Sequence, residues 1–217
     1  MMIKKFLHSC ILVEENGKKL LFDPGAFCFI EKKIRPEDIG TVDVIILTHK
    51  HLDHYYTEAL KTFFNLNKDT KLIANRETGE LLKQEGLKHE TINAMDKKDI
   101  EGFSIEAFEA PHGEIPGALA HNLAYFVNNK FLHPGDSFYV KGLSNCKILA
   151  LPLAGPWATQ MAALNFAKKL KAKKVIPIHD AIIKDFSLER LYMFSAQDLE
   201  KSKISFHPLK LDEILEV

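Results

Sequence analysis

The chain has 217 residues, 46% of them hydrophobic, and its 29 basic and 29 acidic residues balance to a formal net charge of zero. That length and apolar content can sustain one well-buried core, so residues 1–217 are expected to form a single domain. The charge balance excludes a global positive field that would gather nucleic acid or an anionic membrane surface, and a small molecule is the expected partner. Self-association is left open, and so is a phosphorylated substrate, which one or two local donors would hold.

The three cysteines, Cys10, Cys28 and Cys146, are odd in number and none has CxxC spacing. A disulfide framework is therefore not expected, and a reducing cytoplasm fits. The opening MMIKKFLHSCILVEENGKK lacks the apolar stretch and small residues of a signal peptide. Apolar runs such as Val44 to Leu47 are too short to cross a bilayer.

In chain order, FLHSCILVEENGKKLLFDPG reads as a hairpin about Asn16-Gly17, ended by Pro24-Gly25. VDVIIL, Val42 to Leu47, reads as a strand covered on both faces. Thr57 to Phe64 reads as a helix with Thr57 as N-cap. Lys71 to Ala74 is a short strand, and Arg76 to Glu85 a helix stopped by Gly86. FSIEAF, Phe103 to Phe108, alternates at period two, as a half-buried strand does. Leu123 to Val127 and Lys130 to Leu132 flank Asn128-Asn129 as a second hairpin, and Ile148 to Leu151 is another buried strand. Thr159 is placed to cap a helix from Gln160 to Leu170, with Met161, Leu164, Ala167 and Leu170 near one face. Val175 to Ile178 is a buried strand, and Ser195 to Asp198 reads as the capping-box start of a short last helix. Strands in runs, interrupted by helices, imply sheets covered by helices, one sheet or two.

Ten histidines are the unusual feature. Thr48-His49-Lys50-His51-Leu52-Asp53-His54 follows the VDVIIL strand and packs four metal-competent side chains into six residues. Packing does not require such a cluster, and its imidazoles would repel one another if protonated. In a loop leaving a strand, His49 and His51 can grip one ion while Asp53 and His54 turn toward a second. Imidazole with carboxylate suits zinc, and also iron or manganese. His112 in EAPHGE, Asp136 in HPGDSF and His179 in VIPIHD each lie just beyond an apolar strand. Sites in sheet-and-helix folds gather outside the carboxyl ends of strands, so these ends can converge. His89, His133 and His207, taken singly, are expected to be ordinary hydrogen-bonded residues.

The HxHxDH motif after a buried strand, then APHG, GD and IPIHD, resembles the metallo-β-lactamase superfamily from His8 to His179. The opening HSCILVEENGKKLLFDPG resembles its compact branch related to ascorbate-6-phosphate lactonase. The resemblance implies an α/β (α+β) fold, a four-layer αββα sandwich with the site at one edge. It also implies that His49, His51 and His112 hold a first ion, that Asp53, His54 and His179 hold a second, and that Asp136 bridges. Asp23 resembles the family's Asp-Pro and would orient a ligating histidine from behind. His8 resembles a histidine of this branch, and Trp157 is a candidate pocket wall. The chain departs from the family in carrying Ala158-Thr159 where a Met-Thr pair is common. It shows no long lid insertion and no RNA-processing domain, which points away from the large nuclease branches.

These readings imply a hydrolase with two divalent ions, zinc before manganese or iron, that acidify a shared water, with Asp53 as the catalytic residue that aims it. No GxSxG elbow is present. Lactone, carboxylic ester and phosphodiester substrates all stay open. Two alternatives share the fold: a di-iron redox protein, which would show Glu at position 51 and carry a flavin domain, and a non-catalytic metal binder, which would lose ligands.

Overall fold

A computed structural model describes residues 1–217. The first half builds one sheet: β1 Met2–Lys5, β2 Ile11–Glu15, β3 Lys18–Phe22, β4 Val44–Leu47, β5 Lys71–Ala74 and β6 Glu90–Thr91. Its helices are α1 Ala26–Phe29, α2 Pro36–Ile39, α3 Thr57–Leu66 and α4 Arg76–Gln84. The second half builds the other sheet: β7 Lys97–Ile100, β8 Phe103–Glu109, β9 Leu123–Val127, β10 Phe131–His133, β11 Ile148–Pro152, β12 Lys174–Ile178 and β13 Ser205–Phe206. Helices α5 Gln160–Lys169 and α6 Asp185–Glu200 flank β12, and β14 Leu215–Glu216 returns to the first sheet. Both sheets have seven strands, in the orders β14-β1-β2-β3-β4-β5-β6 and β13-β12-β11-β10-β9-β8-β7.

Three apolar clusters mark the layers. Side chains of a strand point alternately to its two faces, so a continuous apolar run supplies two cores at once. In β4, Val44 and Ile46 enter the core between the sheets, whereas Ile45 and Leu47 enter the core beneath Leu60, Phe63 and Leu82 of α3 and α4. In β11, Ile148 and Ala150 face the other sheet, and Leu149 and Leu151 meet Leu164 and Phe166 of α5. Helices, sheet, sheet, helices: this is the expected αββα sandwich.

Pairing sets the site edge. β3, β4 and β5 are parallel, as are β10, β11 and β12, whereas β8 and β10 each run antiparallel to β9. The carboxyl ends of β3, β4, β8, β10 and β12 therefore open toward one edge. Asn16-Gly17 and Asn128-Asn129 all have positive φ, the geometry that a tight hairpin demands.

Several local expectations are corrected. The last helix starts at Asp185, ten residues before the expected Ser195. Ser195 is fully buried inside α6, where its hydroxyl donates to the Leu191 carbonyl, so its capping pattern never acts. Tyr56, not Thr57, is the N-cap of α3, and it makes no side-chain cap. Met161 is 58% exposed, while Ala163, Leu164, Phe166 and Ala167 form the buried face of α5. Thr159 does cap α5, accepting from Ala162 N at 3.2 Å. No helix is long and apolar enough to cross a membrane.

Candidate metal centre

Two groups of metal-competent side chains meet at the site edge. His49, His51 and His112 form a triad with ring centroids 4.7 to 5.0 Å apart. Nε2 of His112 lies 3.1 Å from Nδ1 of His51. His8, Asp53, His54 and His179 form the second group. Asp53 Oδ2 lies 3.1 Å from His8 Nε2, 3.2 Å from His179 Nε2 and 3.6 Å from His54 Nε2.

Asp136 stands between the groups. Its Oδ1 lies 3.1 Å from His54 Nε2, and its Oδ2 lies 3.1 Å from His179, 3.4 Å from His112 and 3.9 Å from His49, each at Nε2.

Neighbouring groups fix which nitrogen of each ring is free. Nδ1 of His54 donates to Asp23 Oδ2 at 2.7 Å, leaving Nε2 to face Asp136. Thr48 Oγ1 donates to the same carboxylate at 2.7 Å and meets His49 Nδ1 at 3.0 Å. His112 Nδ1 donates to the Gly113 carbonyl at 2.6 Å. These contacts turn the Nε2 atoms of His49, His54 and His112 toward the space around Asp136, the orientation in which a metal would be met.

Two close approaches make the geometry feasible. A Cβ at Gly25 would meet the Asp53 carbonyl oxygen at 1.9 Å, so only glycine lets the histidine-rich loop pass over the end of β3. Gly135 has φ +59°, and a Cβ there would strike Asn122 Oδ1 at 1.9 Å. Asn122 joins the loops that carry His112 and Asp136: it donates to the carbonyls of Ala110 and Pro134 and accepts from Asp136 N.

Strain gathers here too. His8, Asp23 and His179 are buried, non-glycine and at φ +59°, +43° and +61°. Such conformations cost of order 1–3 kcal/mol each and concentrate at functional sites.

The electrostatics split the groups. Burial, then the His54 charge, pushes His49 well below the usual imidazole range, and burial, then His112, lowers His51. Burial also pushes His8 down to about 4, against its hydrogen bond to Asp53. For His54 burial is outweighed by Asp136, Asp23 and Asp53, which hold it well above that range. For His179 burial is outweighed by Asp136 and Asp53, which raise it to about 9. Burial opposes ionisation of Asp53 and Asp136, but the surrounding imidazoles hold both carboxyls well below the usual carboxylate range.

These residues fit metal ions. His49 Nε2, His54 Nε2, His179 Nε2 and Asp136 Oδ1 are buried with no protein hydrogen-bond partner. Each such atom costs about 1–3 kcal/mol, a penalty that a coordinated cation removes.

All seven residues of the sequence-derived ligand set are thus brought to one edge. His8 joins the second group directly, beyond the pocket-lining place expected for it. Trp157 has ring-centroid distances of 6.1 Å to His112, 5.9 Å to His179 and 4.8 Å to Phe138. His133 is outside both groups: its Nε2 donates to the Ser9 carbonyl, its Nδ1 accepts from Gly135 N, and its ring stacks on Phe22 at 4.9 Å. His89 and His207 bond locally, to the Leu87 carbonyl and the Ser205 hydroxyl. Sequence reasoning missed Thr48 and Asn122, which have no motif. Thr48 beside the first histidine of the cluster was the only available hint.

Residues 2–179 match the family model described as a Beta-lactamase superfamily domain. The chain belongs to this superfamily. It is 30% identical to protein Rv0786c of Mycobacterium tuberculosis, over 84% of this chain and 85% of that one. It is 29% identical to a UPF0173 metal-dependent hydrolase of Thermoplasma volcanium, over 79% of this chain and 80% of that one. Among solved structures it resembles Igni18, a metallo hydrolase of Ignicoccus hospitalis, with a TM-score of 0.77 at 20% identity, covering 99% and 97% of the two chains. It also resembles CmlA, a diiron β-hydroxylase of Streptomyces venezuelae, with a TM-score of 0.75 at 13% identity, covering all of this chain and 54% of that one. At such identities the structural likenesses concern the fold alone.

Proposed function

We propose that this superfamily member is a metal-dependent hydrolase with two divalent ions, acting as one domain on a small ester, lactone or phosphodiester. The observation that carries the reading is Asp136, whose two oxygens face histidines of both groups. His49, His51 and His112 would hold the first ion, and Asp53, His54 and His179, with His8 beside them, would hold the second, Asp136 serving both. Zinc suits the imidazole-rich set, as do manganese and iron. When bound, two such ions acidify water near neutral pH and polarise the oxygen of the scissile group.

The chain's own residues supply the rest. Asp23 and Thr48 hold the His54 and His49 rings through their Nδ1 atoms, so that Nε2 of each faces Asp136. Asp53 is half-buried between His8 and His179, where its carboxylate would accept a hydrogen bond from the attacking water and aim it. Trp157, whose ring lies near His112 and His179, would form a wall of the site.

The di-iron reading draws on the likeness to CmlA, yet position 51 is a histidine in an all-imidazole triad. A non-catalytic binder would be expected to have lost ligands, whereas His49, His51, Asp53, His54, His112, Asp136 and His179 are all present. The test is turnover by metal-loaded protein on a panel of lactone, thioester, carboxylic ester and phosphodiester substrates. Hydrolysis of one class, lost on chelation and restored by metal, supports the reading. Metal-dependent oxygen consumption without hydrolysis overturns it.

A further inference from the structure

Beside the His8–His179 end of the site lies a cavity of about 610 Å³, within the size range of small-molecule sites. Eleven of its nineteen lining residues are hydrophobic. Its walls include the segments that carry His8 and His179. Leu7 precedes His8, Asp180 follows His179, and the Phe27 ring lines the cavity while packing edge-on against His8 at 5.1 Å. Phe27 is thus shared between metal-site residues and cavity.

The charges around it offer little to an anion. Lys5 is buried and tied to Asp180, which also accepts from the Tyr192 hydroxyl. Lys33 pairs with Glu31 at 2.6 Å, and Lys210, which makes no ion pair, shares the lining with the acids Asp185 and Glu189. With two of its three lysines ion-paired and four acids on the lining, the cavity favours a neutral apolar chain over a polyphosphate or nucleic-acid chain. At the lip, Ile30 is 67% and Ile182 51% exposed, which places unpartnered apolar surface where such a chain would enter.

We infer that this cavity receives the neutral apolar arm of the substrate, whose hydrolysable carbonyl lies at the metal centre. The substrate class is then a carboxylic ester, thioester or lactone with a medium-length alkyl or acyl chain, not a phosphodiester of nucleic acid. The identity of the occupant rests on the hydrolase reading; the cavity's preference for apolar chains does not.

Two arms keep these separable. In the binding arm, metal-loaded protein is titrated calorimetrically with 1-hexanol, 1-octanol and 1-decanol. Affinity is expected to rise by roughly threefold per added methylene. In the kinetic arm, KM for p-nitrophenyl esters from butanoate to decanoate should fall with the same slope. Ile30→Glu and Ile182→Glu, at exposed positions that tolerate charge, should flatten both slopes. Met95→Glu, equally exposed on the other sheet's side, should keep them. Alcohol affinities independent of length overturn the proposal, and so does ester hydrolysis with a flat KM series. Failure of every ester, with alcohol binding intact, counts against the hydrolase reading and supports the cavity. If both Glu variants dissolve a dimer seen by sedimentation while alcohol binding is flat, the face is an interface between copies and the proposal falls.

Discussion

The His49–His51–His112 triad and the His8–Asp53–His54–His179 group share Asp136, yet they are assembled differently. Two members of the triad leave one strand, β4, two residues apart, and the third joins from β8. The second group draws on three chain segments: His8 after β1, the Asp53–His54 pair after β4, and His179 after β12. It ties two of them through a hydrogen bond from His179 N to the His8 carbonyl at 3.2 Å, with both residues in left-handed backbone. Burial and mutual repulsion keep His49 and His51 neutral, ready for a cation. In the second group carboxylates hold protons on His54 and His179, which a cation must expel. A local motif thus builds a neutral site cheaply, whereas the site assembled across both sheets stores strain and charge.

The largest effect that would break this comparison is at the shared residue. Asp136→Ala should weaken both sites and lower kcat/KM by about a thousandfold or more, roughly 4 kcal/mol of transition-state stabilisation. Loss of one ion alone would show that the aspartate serves a single group.

Asp53→Ala should cost roughly a hundredfold or more in kcat. Its thermal unfolding in the metal-loaded state should stay close to wild type. His112→Ala should instead act through affinity for the first ion. Wild-type rates in both variants would remove the assigned roles.

Asp23→Ala should weaken metal binding by about 10- to 100-fold, because it frees the His54 ring and unties Thr48. Equilibrium dialysis checks this. An unchanged affinity would make Asp23 a structural turn residue.

Proton release sharpens the electrostatic contrast. His179 is raised to about 9, above its ordinary 6.5, so its ion pairs stabilise the metal-free protein fully below about 6.5 and fade as pH rises through about 9. Metal binding needs the neutral ring, so loading at pH 7 should release protons and affinity should climb toward pH 9. Calorimetry in buffers of different ionisation enthalpy measures the release. For His179→Ala the release should shrink.

The smallest effect is at the control position. His133→Gln should leave metal content intact and cost about 1–2 kcal/mol of stability through its backbone hydrogen bonds, read by denaturant titration. Metal loss there would overturn its placement outside both groups.

How much was legible depended on whether a signal was local. VDVIIL and the Asn16-Gly17 turn carry their structure in adjacent residues, and so does the four-ligand loop after Leu47. His112, Asp136 and His179 were legible because each ends an apolar strand, although only the fold brings them together. β1 was missed because its MIKK sequence alternates weakly, and the two-residue strands β6, β13 and β14 exist only through pairing with neighbours. The start of α6 was misplaced because Lys184 provides no side-chain cap, whereas Ser195 mimics one. Asn122 bridges two loops 12 residues to either side, and no spacing rule finds such a contact.

The measurement that tests the two-group account most directly is elemental analysis after dialysis against zinc or manganese at pH 8, for wild type, His112→Ala and His179→Ala side by side. The account predicts two ions per chain for the wild type and one for each variant. Trp157, the only tryptophan and close to a histidine of each group, should report both loading steps by fluorescence in the wild type and one in each variant. A wild type that saturates at one ion, with His179→Ala still holding it at full affinity, would contradict the account.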